Sequence, residues 1–66
     1  MSVAKVLELS SDSPNSFDDA LKKGISKASE TISDIRGAWV KDQEVIVEDG
    51  KIASYRVHMR VTFLVK

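Results

Sequence analysis

The chain has no cysteine, a single histidine, one proline and three glycines in 66 residues. Disulfides are therefore excluded as a source of stability, and so is a structural zinc site, which takes about four nitrogen or sulfur ligands. No run approaches the ~20 apolar residues of a membrane-spanning helix, and the opening MSVAKVLELSS has no basic segment followed by a long apolar stretch. A cytoplasmic protein without membrane contact is the expectation. No sign of charge dominates: ten Lys and Arg face ten Asp and Glu, so nothing draws the whole molecule to nucleic acid. Gly-rich phosphate loops, a GxSxG elbow and paired catalytic carboxylates are missing, which argues against an enzyme.

What is present predicts one folded domain over residues 1–66. With 42% hydrophobic residues the chain is too apolar for a disordered tail, and a 30% charged fraction is that of an ordinary soluble surface. A domain this short buries only about 60% of its unfolded surface, and such cores seldom supply more than ~3 to 5 kcal/mol. Oligomerisation is the remaining source of stability.

Residues 3–9, VAKVLEL, read as a strand that leaves into the turn-rich SSDSPNS. Ser16, with Asp19 three residues on, resembles a capping box, and a helix begins near Phe17 with Asp18 and Asp19 at its amino end. Phe17, Ala20, Leu21, Gly24, Ile25, Ala28, Ile32 and Ile35 recur at three- and four-residue steps, which predicts a core-facing helix of about 18 residues. Gly24 sits inside that stripe at a cost of about 1 kcal/mol relative to Ala, so it marks either a close backbone approach or simple tolerance.

After Arg36 and Gly37 the pattern becomes AWVKDQEVIV, then EDGK, then IASYRVHMRVTFLV. Asp49-Gly50 between two β-rich runs is a hairpin signal, because a type I′ turn needs positive φ at both central positions. Along the last strand Ala53, Tyr55, Val57, Met59, Val61, Phe63 and Val65 alternate with largely polar residues. A regular register from that turn pairs Val40 with Met59, Ala38 with Val61 and Ile46 with Ala53 on the helix side. On the other side it sets Trp39 beside Arg60, Lys41 beside His58 and Gln43 beside Arg56. It also puts Asp42 and Glu44 on the apolar face, where they are expected beyond the helix, at an interface or in a polar channel. A helix of ~27 Å cannot cover a strand of ~43 Å, so other subunits are expected over the uncovered ends and Trp39. The acidic Asp42, Glu44, Glu48 and Asp49 and the basic Lys51, Arg56, Arg60 and Lys66 suit neighbouring strands that neutralise each other.

Strand, helix and long hairpin in this order and spacing resemble the dodecins, small flavin-binding proteins whose βαββ subunits assemble into hollow spherical dodecamers. The matching segments are VAKVLELSSDSPNSFDDALKKGISKASETI and the ending SYRVHMRVTFLVK. The resemblance implies an α+β fold, with one helix on a three-stranded antiparallel sheet, built into a homododecameric shell. It also implies a non-catalytic cytoplasmic role in binding and storing FMN, riboflavin or FAD. In such proteins a Trp at the start of the second strand stacks on the flavin ring, and a Gln after the aromatic residue of the last strand bonds the ring edge. Here an ungapped alignment places Gly37 at the stacking position with Trp39 two residues later, and Tyr55-Arg56 replaces the aromatic-Gln pair. Asp42 matches an acidic residue often carried five positions after the Trp. Gly37, Ala38, Trp39, Asp42 and Arg56 are thus the implied flavin-site residues.

The side chains themselves leave alternatives open. Trp39 beside Arg60 suits a cation–π contact worth roughly 0.5 to 2 kcal/mol, as interface packing or as a ligand platform. Arg56 can offer a fork of donors to a ligand or pair with an acidic neighbour. His58 has no candidate nucleophile near it in sequence and reads as a solvated or interface histidine. Asp42, Glu44, Glu48 and Asp49 offer hard oxygen ligands for calcium or magnesium, which oligomer symmetry can gather, although no EF-hand loop is present. One stacking aromatic and zero net charge make a nucleic-acid face the weakest of these readings.

Overall fold

The computed structural model describes residues 3–65, and their centre is β3, Lys51–Val65. Its alternation of apolar and polar side chains gives it two usable faces, and it forms the middle strand. β1 (Val3–Ser13) pairs antiparallel along one edge and β2 (Ile35–Glu48) along the other, giving the order β1-β3-β2. The single helix α1, Phe17–Ala28, lies across one face. This is the expected β-α-β-β arrangement.

Beneath the helix Val57, Met59 and Val61 of β3 are buried against Ala20, Gly24 and Ala28, with Leu9, Phe17, Leu21, Ile25, Ile35 and Val40 packed around them. Small residues at one-turn spacing let the helix sit low. A Cβ added at Gly24 would lie 2.7 Å from Met59 Cε, 3.0 Å from Ser11 Cβ and 3.3 Å from Leu9 Cδ1. Close approach, not tolerance, explains this glycine. Ser11 and the buried Ser13 are the matching small residues on β1, and their presence in the sheet corrects the first boundary. The strand runs to Ser13 instead of ending at Leu9, because Ser10–Ser13 pair with His58–Tyr55 and leave only residues 14–16 for the connection.

The helix start is as expected. Ser16 Oγ accepts the Asp19 backbone N–H at 2.9 Å. The reciprocal half of a capping box is absent, since the Asp19 carboxylate instead accepts from buried Ser13 Oγ. The helix end is not where the apolar stripe puts it. α1 has 12 residues, not about 18, and Ser29 Oγ donates back to the Ile25 carbonyl at 2.8 Å. Ile32 lies in the connection and Ile35 opens β2; Asp34, with φ of 59°, turns the chain, and its carbonyl accepts Leu64 N–H. Both isoleucines keep their place in the stripe's spacing without being helical.

The hairpin turn is correct, with positive φ at Asp49 (52°) and Gly50 (73°). The regular register survives near the turn and over Gly37–Val40, where Ala38 faces Val61, Trp39 faces Arg60 and Val40 faces Met59. Between them it fails. Besides a shift between Ile35 and Gly37 at the start of β2, bulges separate Val40 from Asp42 and Ile46 from Val47, so Asp42 pairs with His58, Gln43 with Val57, Glu44 with Arg56 and Ile46 with Ser54. The extra residue at Lys41 inverts the alternation. Asp42 and Glu44 consequently stand on the polar face, not the helix side, and the expected pairs Lys41–His58, Gln43–Arg56 and Ile46–Ala53 are replaced. The cost of burying two carboxylates is avoided by this local change.

The helix spans ~18 Å, whereas the chain is 51 Å long. Val3, Val6, Leu7 and Val65 at one end, and Val45, Val47 and Ile52 at the other, are left exposed. Gly24→Val is expected to lower stability by about 1 to 3 kcal/mol through overpacking against Ser11 and Met59, despite the gain in helix propensity. Urea unfolding of the variant against wild type measures this; equal midpoints would show that the helix lifts without cost.

Candidate functional site

The face of the sheet turned away from α1 carries the charged side chains. Alternation brings Glu8, Ser10 and Asp12 of β1, Arg60, His58 and Arg56 of β3, and Trp39, Asp42 and Glu44 of β2 onto it, three parallel rows whose middle row is basic. At one end Arg60 Nε donates to Glu8 Oε1 at 2.8 Å, and Lys41 Nζ reaches the same oxygen at 3.3 Å. Arg60 Cζ lies 5.3 Å from the Trp39 ring centroid, the cation–π contact that the sequence suggested. Further along, Arg56 binds Asp12 through two parallel bonds of 2.7 and 2.9 Å and approaches Glu44 at 3.6 Å. His58 Nε2 lies 2.9 Å from Glu44 Oε1.

These pairs set the ionisation of the face. Bonds from Arg60 and then Lys41 hold the Glu8 carboxyl below its usual range, and the Arg56 fork does the same for Asp12. For Glu44 the bond from His58 comes first, with the Arg56 charge adding to it, and Arg56 itself is raised by Asp12. A carboxylate held by positive partners stays ionised and makes the rows interlock across all three strands.

The implied flavin residues are distributed unevenly. Trp39 is 63% exposed. Gly37, one step along the same face, has no atom within 4 Å of where a Cβ would stand, so a flat space adjoins the indole. Ala38 points to the helix side opposite Val61, leaving its backbone as the only contribution there. Asp42 lines a cavity of about 360 Å³ beside the bulge, with Glu8, Ser10, Lys41 and His58. Arg56 is four residues from the Trp39 partner Arg60, ~13 Å along the strand, so one protomer does not bring Trp39 and Arg56 together. The four candidate cation ligands are not gathered either. Among the described residues no three His, Asp or Glu side chains converge on a common point, Glu44 is engaged by His58 and Arg56, and Glu48 and Asp49 lie at the hairpin tip.

Glu8 and Asp12 were missed as members of this face. Their signal was present as polar residues at positions 8, 10 and 12, but a Ser-rich stretch reads as a loop when the strand opposite is not known.

One short helix over a long sheet whose β2–β3 pairing shifts register three times, with an exposed Trp39 on the far face, makes a small βαββ subunit. The dodecin family model matches residues 3–66. The chain is 33% identical to a calcium dodecin of Mycobacterium tuberculosis over 63 residues, covering 96% of this chain and 89% of that protein. Its fold matches the dodecin from Streptomyces davaonensis with a TM-score of 0.94 and 29% identity over 98% of this chain and 96% of the other. It also matches the calcium-chelating antigen calcium dodecin from Mycobacterium tuberculosis, whose structure has a novel calcium-binding site, with a TM-score of 0.86 and 30% identity over 97% and 91% of the two chains. This chain belongs to the dodecin family. Dodecins are binding proteins and not enzymes, and this chain is a non-catalytic binding protein. Among the described residues no helix is long and apolar enough to cross a membrane.

Lowered carboxyl pKa values have a definite consequence for stability. In the unfolded chain Glu8, Asp12 and Glu44, together with Asp19, which Ser13 and then Lys23 hold down, regain ordinary values near 3.8 to 4.5. The unfolded state then binds more protons than the folded one, so stability is fully present above about pH 5 and is lost as pH falls through the lower folded values. Urea midpoints measured from pH 7 to pH 3 are expected to be level and then to fall. The triple variant E8Q/D12N/E44Q should show a shallower fall; an unchanged acid slope would remove these pairs from the account.

Proposed function

We propose that this chain is a flavin-binding and storage subunit that works in the cytoplasm as a homododecameric hollow shell. The observation that carries the reading is Trp39. A large indole that is mostly exposed, with Arg60 over its ring, is a costly feature on an isolated surface and a useful one where a planar aromatic ligand stacks. Gly37 leaves room beside it for a ring of that kind. Family membership supports the same class of ligand, with Trp39 taking the stacking role two residues from the usual place. Gly37, Ala38 and Asp42 belong to the proposed site around it. Arg56, occupied by Asp12, joins only where a second subunit brings its own copy toward the ring. FMN, riboflavin and FAD share the isoalloxazine that this platform recognises.

A second reading has its own support. The Mycobacterium tuberculosis relative is named a calcium dodecin, and Asp42, Glu48 and Asp49 make no ion pair among the described residues. Copies of these carboxylates, with Glu44 released from His58, would form an oxygen site for calcium or magnesium only by symmetry between subunits.

Titration of FMN and riboflavin with ligand-stripped protein is expected to give saturable quenching of flavin fluorescence. Trp39→Ala should abolish it while the native mass stays near twelve subunits. Absence of quenching at high micromolar protein, with heat released on calcium addition, would exchange the two readings. Loss of assembly in Trp39→Ala would assign the indole to packing.

A further inference from the structure

Trp39 has little within its own chain to fix its orientation. β2 is an edge strand, so β3 is its only neighbour in the sheet, and Gly37, two residues back on the same face, carries no side chain. An indole in that position is free to change rotamer unless something across the strand pair holds it. Directly opposite stands Arg60, whose guanidinium carbon lies over the ring at 5.3 Å from its centroid. An arginine on a sheet surface is itself a flexible side chain, and ordering it takes a further anchor.

Glu8 is that anchor. It stands opposite Arg60 on β1, so Trp39, Arg60 and Glu8 form one row across all three strands. Arg60 Nε donates to Glu8 Oε1 at 2.8 Å, and Lys41 Nζ reaches the same oxygen at 3.3 Å from the bulge of β2. These two cations, Arg60 first, hold the Glu8 carboxyl below its usual range, so at neutral pH it is an ionised acceptor for both. With the guanidinium fixed from the far side by Glu8, one face of the indole is covered and the other is left to a planar ligand. The next row along the strands, Gly37, Thr62 and Val6, lies ~6.6 Å away, and the empty space at Gly37 gives a ring room beside the indole.

We propose that Glu8, two strands from the indole, is the positioning residue of the Trp39 platform: acting through Arg60, it holds the indole in the orientation on which a flavin ring stacks. This deepens the flavin reading above and rests on it for the ligand, but not for the orientation of the indole. Loss of the Glu8 carboxylate acts in two ways. It frees the indole, which weakens stacking of every flavin, because the rotamer must then be ordered on binding. It also removes a negative charge beside Arg60 and Lys41, which favours a phosphorylated ligand, so uncharged riboflavin loses more than FMN.

Trp39 is the only tryptophan, so intrinsic fluorescence reports this one side chain. Glu8→Gln keeps the size of the side chain and removes its charge, and Arg60→Gln removes the cation over the ring. At unchanged native mass, E8Q is expected to shift the emission maximum and to broaden the spread of fluorescence lifetimes, the mark of several indole rotamers. The double variant E8Q/R60Q should match R60Q alone, because Glu8 acts on the indole only through Arg60. Riboflavin affinity is expected to fall about three- to tenfold in E8Q, and FMN affinity by less. Emission and lifetimes in E8Q equal to those of wild type, or effects of the two substitutions that simply add, overturn the proposal. Wild type that quenches no flavin overturns the flavin reading alone, and the fluorescence comparison still decides the role of Glu8. Should E8Q change the native mass, Glu8→Asp, which keeps the charge and shortens the reach, takes its place under the same fluorescence criteria.

Discussion

The short separation between α1 and the sheet at Gly24 governs the rest of the molecule. Three small residues on the helix and two serines on β1 let a 12-residue helix sink onto Val57, Met59 and Val61, so a very small core is nonetheless dense. Density obtained in this way is local. The helix covers the middle of one face, and Val3, Val6, Leu7 and Val65 at one end of a 51 Å molecule and Val45, Val47 and Ile52 at the other stay exposed in the single chain. A chain of this size has no disulfide or zinc to fall back on, so the shortage of core and the exposed valines and isoleucine are two aspects of one constraint.

The opposite face is held by a different force. Its middle row sets Arg60 and Arg56 between carboxylates of the two flanking strands, and the bidentate Arg56–Asp12 pair and the shared Glu8 oxygen tie β1 to β3 and β2. Such pairs are solvent-exposed, so their worth lies more in fixing which strand lies beside which than in raw stability. They also explain why Trp39 stands where it does. Arg60, anchored by Glu8, supplies the cation beside the indole, and the ring's exposure leaves surface for a further planar group. The exposed indole and the strand-pairing ion pairs thus share Arg60.

Much of this was legible beforehand. The strand-helix-hairpin order, the Ser16 cap, the Asp49-Gly50 turn and the Trp39–Arg60 neighbourhood follow from period, capping chemistry and alternation, each a local property of a few residues. The errors were also local in origin. Ile32 and Ile35 continue the helical spacing, yet Ser29 and the positive φ of Asp34 end the helix before them. Ser10–Ser13 have the composition of a turn, and become strand only because β3 extends far enough to pair with them.

Sequence by itself determined the class of fold and the pairing of the last two strands through the Asp49-Gly50 turn, because these depend on periodicity and turn chemistry; that β3 is the central strand came from the structure. Tertiary structure alone decided the faces of Asp42 and Glu44. One extra residue at Lys41 inverts a strand of period two, and no pattern within β2 announces it; the inversion takes two carboxylates from the helix side and sets them beside His58 and Arg56. Whether Trp39 and Arg56 belong to one site was likewise a matter of distance along a strand, which a list of residue types does not contain.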